Sequence, residues 1–169
     1  MIKFNYTKGF TLLEALVAIS ILMVAVVAPI TIAQKGLSSA TYSKNQMIAS
    51  YLAQDAIEYI INKRDEKTVN REWNWLDNFT LCTGSNVCKI DTIKEIVDDA
   101  VSAYISSDFL KIDANDFYGY GGNELTNFIR KVNITVDPNG SNSNEALITV
   151  TVSWGGDNEV VVKTLIYNK

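Results

Sequence analysis

Hydrophobic and polar positions follow three different rules along this chain. From Phe10 to Ala33 the sequence reads FTLLEALVAISILMVAVVAPITIA, 24 residues in which Glu14 is the one charge. The 19 residues from Ala15 to Ala33 carry none. A helix needs roughly 20 apolar residues to cross the hydrocarbon core of a bilayer, so this segment is a candidate span. The competing reading is a buried core helix, which needs more protein around it than the about 135 downstream residues supply. Pro29 removes one helical N–H, leaves the carbonyl of Ala25 unpaired and predicts a kink. Gly36 weakens the helix again.

Beyond Gly36 the rule becomes helical amphipathicity. Leu37, Ala40, Met47, Ile48, Tyr51, Leu52, Ala56, Tyr59 and Ile60 recur at spacings of three and four, interrupted at Lys44. Lys44, Asn45, Gln54, Asp55 and Glu58 fall opposite. The pattern predicts one helix running from Phe10 to about Lys63–Lys67, with a second half that needs a sheet over its apolar stripe. Polar residues Arg64 to Glu72 then lead into the cluster Trp73-Asn74-Trp75-Leu76. Ile93, Ile96, Val97, Ala100, Val101 and Tyr104 return to helical spacing and predict a short helix from about Lys94 to Ser106. Asp91-Thr92 supplies its N-cap, and Glu95 completes a capping box.

The last third alternates with period two. Phe128–Val136, Ala146–Trp154 and Val160–Tyr167 are predicted strands, separated by the polar loop Pro138–Asn144 and the turn Gly155-Gly156-Asp157-Asn158. Strands with one apolar face need a covering layer, which the amphipathic half of the long helix can provide. The predicted class is α+β: a long N-terminal helix packed on a C-terminal antiparallel sheet of three or four strands.

Composition narrows the chemistry. The 169 residues include 15 Lys+Arg, 19 Asp+Glu and no His, for a formal charge of -4. An acidic chain without a basic run is a poor nucleic-acid binder, so no nucleic-acid partner is expected. Without His the commonest metal ligand and the usual acid/base group are missing. Two Cys cannot form a four-thiolate metal site within one chain. No GxSxG, Walker A, HExxH or GxGxxG motif occurs. The expectation is no catalytic residue, no metal and no cofactor.

The flanks of the apolar segment orient it. Lys3 and Lys8 precede it with no acid among them, which favours a cytoplasmic N-terminus and an extracytoplasmic downstream domain. A secretory signal has a shorter apolar core followed by a cleavage site of small residues. Here the small residue, Gly9, precedes the apolar run. Glu14 needs a counter-charge, because a carboxylate in a bilayer is costly. A cut after Gly9 would expose an α-amine on Phe10, one helical turn from Glu14. A Glu that snorkels to the headgroups is the alternative.

Lys8-Gly9-Phe10-Thr11-Leu12-Leu13-Glu14 resembles the prepilin cleavage and methylation motif of type IV pilins and type II secretion pseudopilins. The resemblance implies a pilin-like fold. It implies a prepilin peptidase that cuts between Gly9 and Phe10 and N-methylates Phe10. It further implies assembly with other pilin or pseudopilin subunits on an inner-membrane platform, with Glu14 neutralising a neighbour's amine, and contact with membrane lipid before assembly. Loss of Lys3 and Lys8, two of the 15 cations, takes the formal charge from -4 to -6. Pro29 matches the helix breakers that pilin-like proteins carry in this half of the helix. The stretch YLAQDAIEYI is similar to the minor subunits, as is the closing VTVSWGGDNEVVVKTLIYN.

The implied organisation is a leader over 1–9, a transmembrane and assembly half-helix over 10–33 and an amphipathic half over 34–66. A variable αβ region with the Cys pair over 67–127 and the antiparallel sheet over 128–169 complete it. Cys82 and Cys88 flank a turn-like Thr-Gly-Ser-Asn and, in an exported domain, read as a disulfide worth about 2 kcal/mol. Two free buried thiols are the alternative. Asp108, Asp113, Asn115 and Asp116 form an oxygen-rich loop without EF-hand spacing. Some pseudopilins bind calcium, and a solvated loop is the plainer reading. Asn78 and Asn133 sit in glycosylation sequons. Trp73, Trp75 and Trp154 are read as core rather than as a binding face. The functional expectation is a structural pilus or pseudopilus subunit. The alternatives are a filament-displayed adhesin or ligand-binding module, and a membrane-anchored extracytoplasmic enzyme.

Overall fold

Thr11 opens the first helix. Its side-chain oxygen accepts the backbone N–H of Glu14 at 3.3 Å, and its carbonyl accepts that of Ala15 at 3.1 Å. This is the N-cap arrangement, with an acid at the third helical position. The computed structural model describes Gly9 and residues 11–70, 75–138, 140 and 144–168. The expectations placed on Lys3, Lys8, Phe10 and Trp73 concern residues outside that set. The chain divides into two compact units, Met1–Ser43 and Lys44–Lys169.

Helix α1 spans Leu12–Val69 without a break at Pro29 or Gly36. In the first unit its side chains are exposed almost throughout, Leu22 at 65% among them. Hydroxyls of this stretch bond back to the helix carbonyls. The Ser20 hydroxyl donates to the carbonyl of Leu16 at 2.8 Å, and that of Thr31 to Ala28 at 2.8 Å. A side chain bonded in this way presents no free donor to an apolar solvent.

In the second unit α1 buries a stripe of Ala49, Leu52, Ala53, Ala56, Ile57, Ile60 and Arg64. The stripe is rotated from the one that the large apolar residues predict. Met47 and Tyr51 are exposed, while three alanines, each at 0% exposure, lie against the sheet. Small side chains let the helix backbone approach, and they outweigh bulkier neighbours that the sheet has no room for.

Among the described residues seven strands form the sheet: β1 (Cys88–Ile90), β2 (Val101–Ala103), β3 (Phe109–Ile112), β4 (Tyr118–Gly119), β5 (Glu124–Val136), β6 (Glu145–Trp154) and β7 (Asn158–Tyr167). The three long ones form the meander that period two predicts. β5 pairs with β6 from Phe128↔Trp154 to Val136↔Ala146, and β6 pairs with β7 along its whole length. Gly155 (φ 58°) and Gly156 (φ 96°) make the β6–β7 turn in the left-handed region, where a side chain would be strained. The opposite edge of β5 carries β3 along its first half and β1 beyond. β2 and β4 continue outward from these, all antiparallel. The sheet is thus wider than three or four strands, and the added ones come from the region without a period-two signal.

One local expectation is corrected. The helix expected over 94–106 is a single turn, α2 (Val97–Ala100), followed directly by β2. Cys88↔Ala103 and Ile90↔Val101 pairing closes the segment onto β1, so cross-strand bonds displace the helix. Thr92 caps nothing; its hydroxyl donates to Asp55 Oδ2 at 2.6 Å. Of the oxygen-rich residues, Asp113, Asn115 and Asp116 lie at the tip of the β3–β4 hairpin, while Asp108 precedes β3 and pairs with Lys89 at 3.0 Å. At the tip Asp113 Oδ1 accepts the N–H groups of Asn115 and Phe117 at 2.8 and 3.0 Å.

Inward-facing residues of β5 and β6 build the core with α1. Phe128, Val132 and Ile134 alternate along β5, and Ile148, Val150, Val152 and Trp154 along β6. Phe79, from a 3-10 helix at Asp77–Cys82, joins them.

Candidate functional site

The motif at the N-terminus is a helix start placed on an apolar, uncovered surface. Gly9 and Glu14 are exposed, and Glu14 lies in the first turn of α1. There the unpaired N–H groups of the helix end favour a negative charge. Glu14 has no ion-pair partner among the described residues. Phe10, which supplies the amine in the sequence argument, lies outside them. The helix is long and apolar enough to cross a membrane, and none of its apolar window is buried. Thr11 as the cap went unread in the sequence, although Thr-Leu-Leu-Glu before an apolar run is the capping-box signature.

Residues 4–28 match the prokaryotic N-terminal methylation motif. No curated protein and no solved structure matches the chain. The chain therefore carries a prepilin-type methylation motif on a long apolar helix, and its α+β arrangement is pilin-like. That combination supports a pilin- or pseudopilin-like precursor and a structural rather than catalytic role.

The second unit holds a buried charge that no sequence argument singled out. Arg130 occupies an inward slot of β5 at 0% exposure. Its Nη1 donates to Asp55 Oδ2 at 2.9 Å and to the carbonyl of Leu52 at 3.0 Å. Nη2 donates to the carbonyl of Ile90 at 2.6 Å and weakly to Thr92 Oγ1 at 3.4 Å. Nε is buried without a partner. One guanidinium thus ties α1, β1 and the following loop to the centre of the sheet. Both Nη atoms are committed, each to one backbone carbonyl and one side-chain oxygen, so the guanidinium fixes position and leaves little free for chemistry. Around it, burial pushes the Tyr120 phenol up to about 12, against the opposing pull of the Arg130 cation. Burial, then the carboxylates of Asp91 and Glu66, pushes Tyr59 up to about 12 as well. Its hydroxyl donates to the carbonyl of Lys94 at 3.1 Å.

Cys82 and Cys88 form a disulfide with Cα atoms 4.8 Å apart. They close a tight loop between the 3-10 helix and β1. Asn133 holds that loop from β5, its Nδ2 donating to the carbonyls of Gly84 at 2.9 Å and Asn86 at 2.7 Å. A glycan on Nδ2 would displace both bonds, so this sequon serves the fold. Trp75 (7% exposed) and Trp154 belong to the core. Among the described residues no group of three or more Cys, Asp or Glu side chains could hold a metal ion.

Proposed function

We propose that the chain is a structural subunit of a type IV pilus or type II secretion pseudopilus. A prepilin peptidase cuts it between Gly9 and Phe10 and methylates the new Phe10 amine. Before assembly the segment 10–33 spans the cytoplasmic membrane, with its N-terminus in the cytoplasm and the second unit outside. On an inner-membrane platform it then leaves lipid for the matching segments of other subunits, and Pro29 lets the helix bend as it does so. Glu14 pairs with the amine of the adjoining subunit and sets the register.

The observation that carries this reading is Glu14: an exposed acid without a cation among the described residues, in the first turn of an exposed apolar helix and inside the matched motif. In lipid such a charge is costly, and a neighbour's terminal amine would neutralise it. Glu14→Ala is expected to leave the subunit in the membrane while sharply reducing its recovery in sheared filaments. Undiminished incorporation of the variant would contradict the pairing.

A further inference from the structure

The second unit carries a groove of about 590 Å³ between α1 and the β3–β4 hairpin. Small-molecule sites have this size and join an apolar, aromatic lining to a few placed polar groups. Tyr51, Phe117 and Tyr118 supply aromatic faces, and Ile48, Leu52 and Ile93 aliphatic ones. Tyr51 and Phe117 are 66% and 60% exposed, so both rings stand open to solvent beside the groove. The hairpin side is fixed. Asp113 Oδ1 accepts the Phe117 N–H at 3.0 Å, and the Tyr118 ring meets the buried Phe128 ring edge-on with centroids 6.3 Å apart.

The polar groups of the groove are acceptors, and the deeper one has already lost its charge. Asp55 Oδ2 accepts Arg130 Nη1 at 2.9 Å and the Thr92 hydroxyl at 2.6 Å. That carboxylate is neutralised and held in one orientation, yet its side chain is 48% exposed and its Oδ1 takes no hydrogen bond among the described residues. Asp116, exposed at the hairpin tip, adds a second acceptor. No Lys or Arg lines the groove among the described residues. A neutralised carboxylate exerts little pull on a free cation but still accepts hydrogen bonds. The matching occupant is uncharged, with hydroxyl or amide donors on its edge and an apolar face. A sugar ring has this form, and an acetamido group adds a methyl for the aliphatic lining and an N–H for Asp116.

We propose that this groove binds a neutral N-acetylated sugar. The apolar face of the ring lies against Tyr51 and Phe117, a hydroxyl donates to Asp55 Oδ1, and the acetamido methyl meets the aliphatic lining. An alkylammonium ion would also favour aromatic faces, but it needs uncompensated negative charge, and Arg130 has cancelled that of Asp55. The site lies wholly within the second unit and requires neither cleavage after Gly9 nor assembly, so its test is separate from that of the assembly reading.

Calorimetric titration of the full-length chain in a sugar-free detergent, with N,N′-diacetylchitobiose as the probe, tests the site. A Kd of about 1 mM is expected for so open a groove. Maltose, which lacks acetamido groups, should bind about tenfold more weakly. Phe117→Ala should weaken the probe by about tenfold, and Phe117→Trp should restore it; the urea midpoint of both should match the parent, because the side chain is exposed. Asp116→Asn keeps an acceptor oxygen and should leave the Kd within about threefold. No heat from the probe up to about 10 mM, or unchanged binding by Phe117→Ala, would overturn the site. Maltose binding as tightly as the probe would overturn the acetamido assignment. Displacement of the probe by tetramethylammonium chloride, lost in Asp116→Asn, would replace the sugar with a cation.

Discussion

Between Leu12 and Ser43, α1 presents leucines, isoleucines and valines on every side and buries none of them. Between Lys44 and Val69 the same helix buries one stripe, three of whose members are alanines, and exposes mostly polar residues elsewhere, with Met47 and Tyr51 among them. Hydrogen bonding within the helix serves both stretches; the surroundings each needs are different. The second stretch finds its apolar solvent inside its own domain. The first has no cover among the described residues and calls for lipid or other copies, because a hydrophobic surface of this extent is not stable in water. The inverse holds for charge. Both Nη atoms of Arg130, buried at the centre of the domain, find acceptors, while Glu14 at the head of the bare stretch has no cation among the described residues.

Mutations can separate the two stretches. The largest effect is expected for Arg130→Ala. It leaves the carbonyls of Leu52 and Ile90 without their donors and opens a cavity, costing about 3–5 kcal/mol of domain stability. Urea denaturation of the detergent-solubilised chain reads this, and membrane retention should not change; a loss below about 1 kcal/mol would show that the clamp is unimportant. Val24→Arg tests the other stretch. It should raise the cost of insertion by roughly 2.5–3.5 kcal/mol and deplete the membrane fraction, with the domain's urea midpoint unmoved. A coupled shift in that midpoint would mean that the first stretch contributes to the domain core.

The smallest effect is a pH dependence confined to the domain. Tyr59 and Tyr120 keep their protons to about pH 12, against an ordinary value of 10.0. A raised folded-state value means that the folded chain holds protons which the unfolded chain has released. The associated stability is complete below pH 10.0 and drains away as pH rises toward about 12. Phenolate absorbance should therefore show a late step that Tyr120→Phe reduces, with insertion unaffected. Titration of all tyrosines near the ordinary value would contradict the packing around Arg130.

Much of this was legible in the residue pattern, and the parts that were not share a cause. The apolar run, the Lys8–Glu14 motif and the three long strands are local signals, each carried by neighbouring residues. Arg130 was present in the pattern but disguised, since an alternating strand leads the reader to assign its polar positions to solvent. Its slot is shared with Phe128 and Val132, which places it inward by register alone. The spacing from Ile93 to Tyr104 suits a helix, yet β1, just upstream, captures its end, Val101–Ala103, as a strand. β1 to β4 hold two to four residues each, too few for a period to emerge. The groove draws on residues 48–55, 92–93 and 116–118, three segments that only the fold brings together.

The account depends on the bare helix being made ready for assembly by loss of what precedes it. Intact-mass analysis of the chain recovered from sheared filaments tests this most directly. The expected species lacks Met1–Gly9 and carries one added methyl group on Phe10. A polymerised chain that still begins at Met1, or one cut elsewhere than after Gly9, would contradict the account.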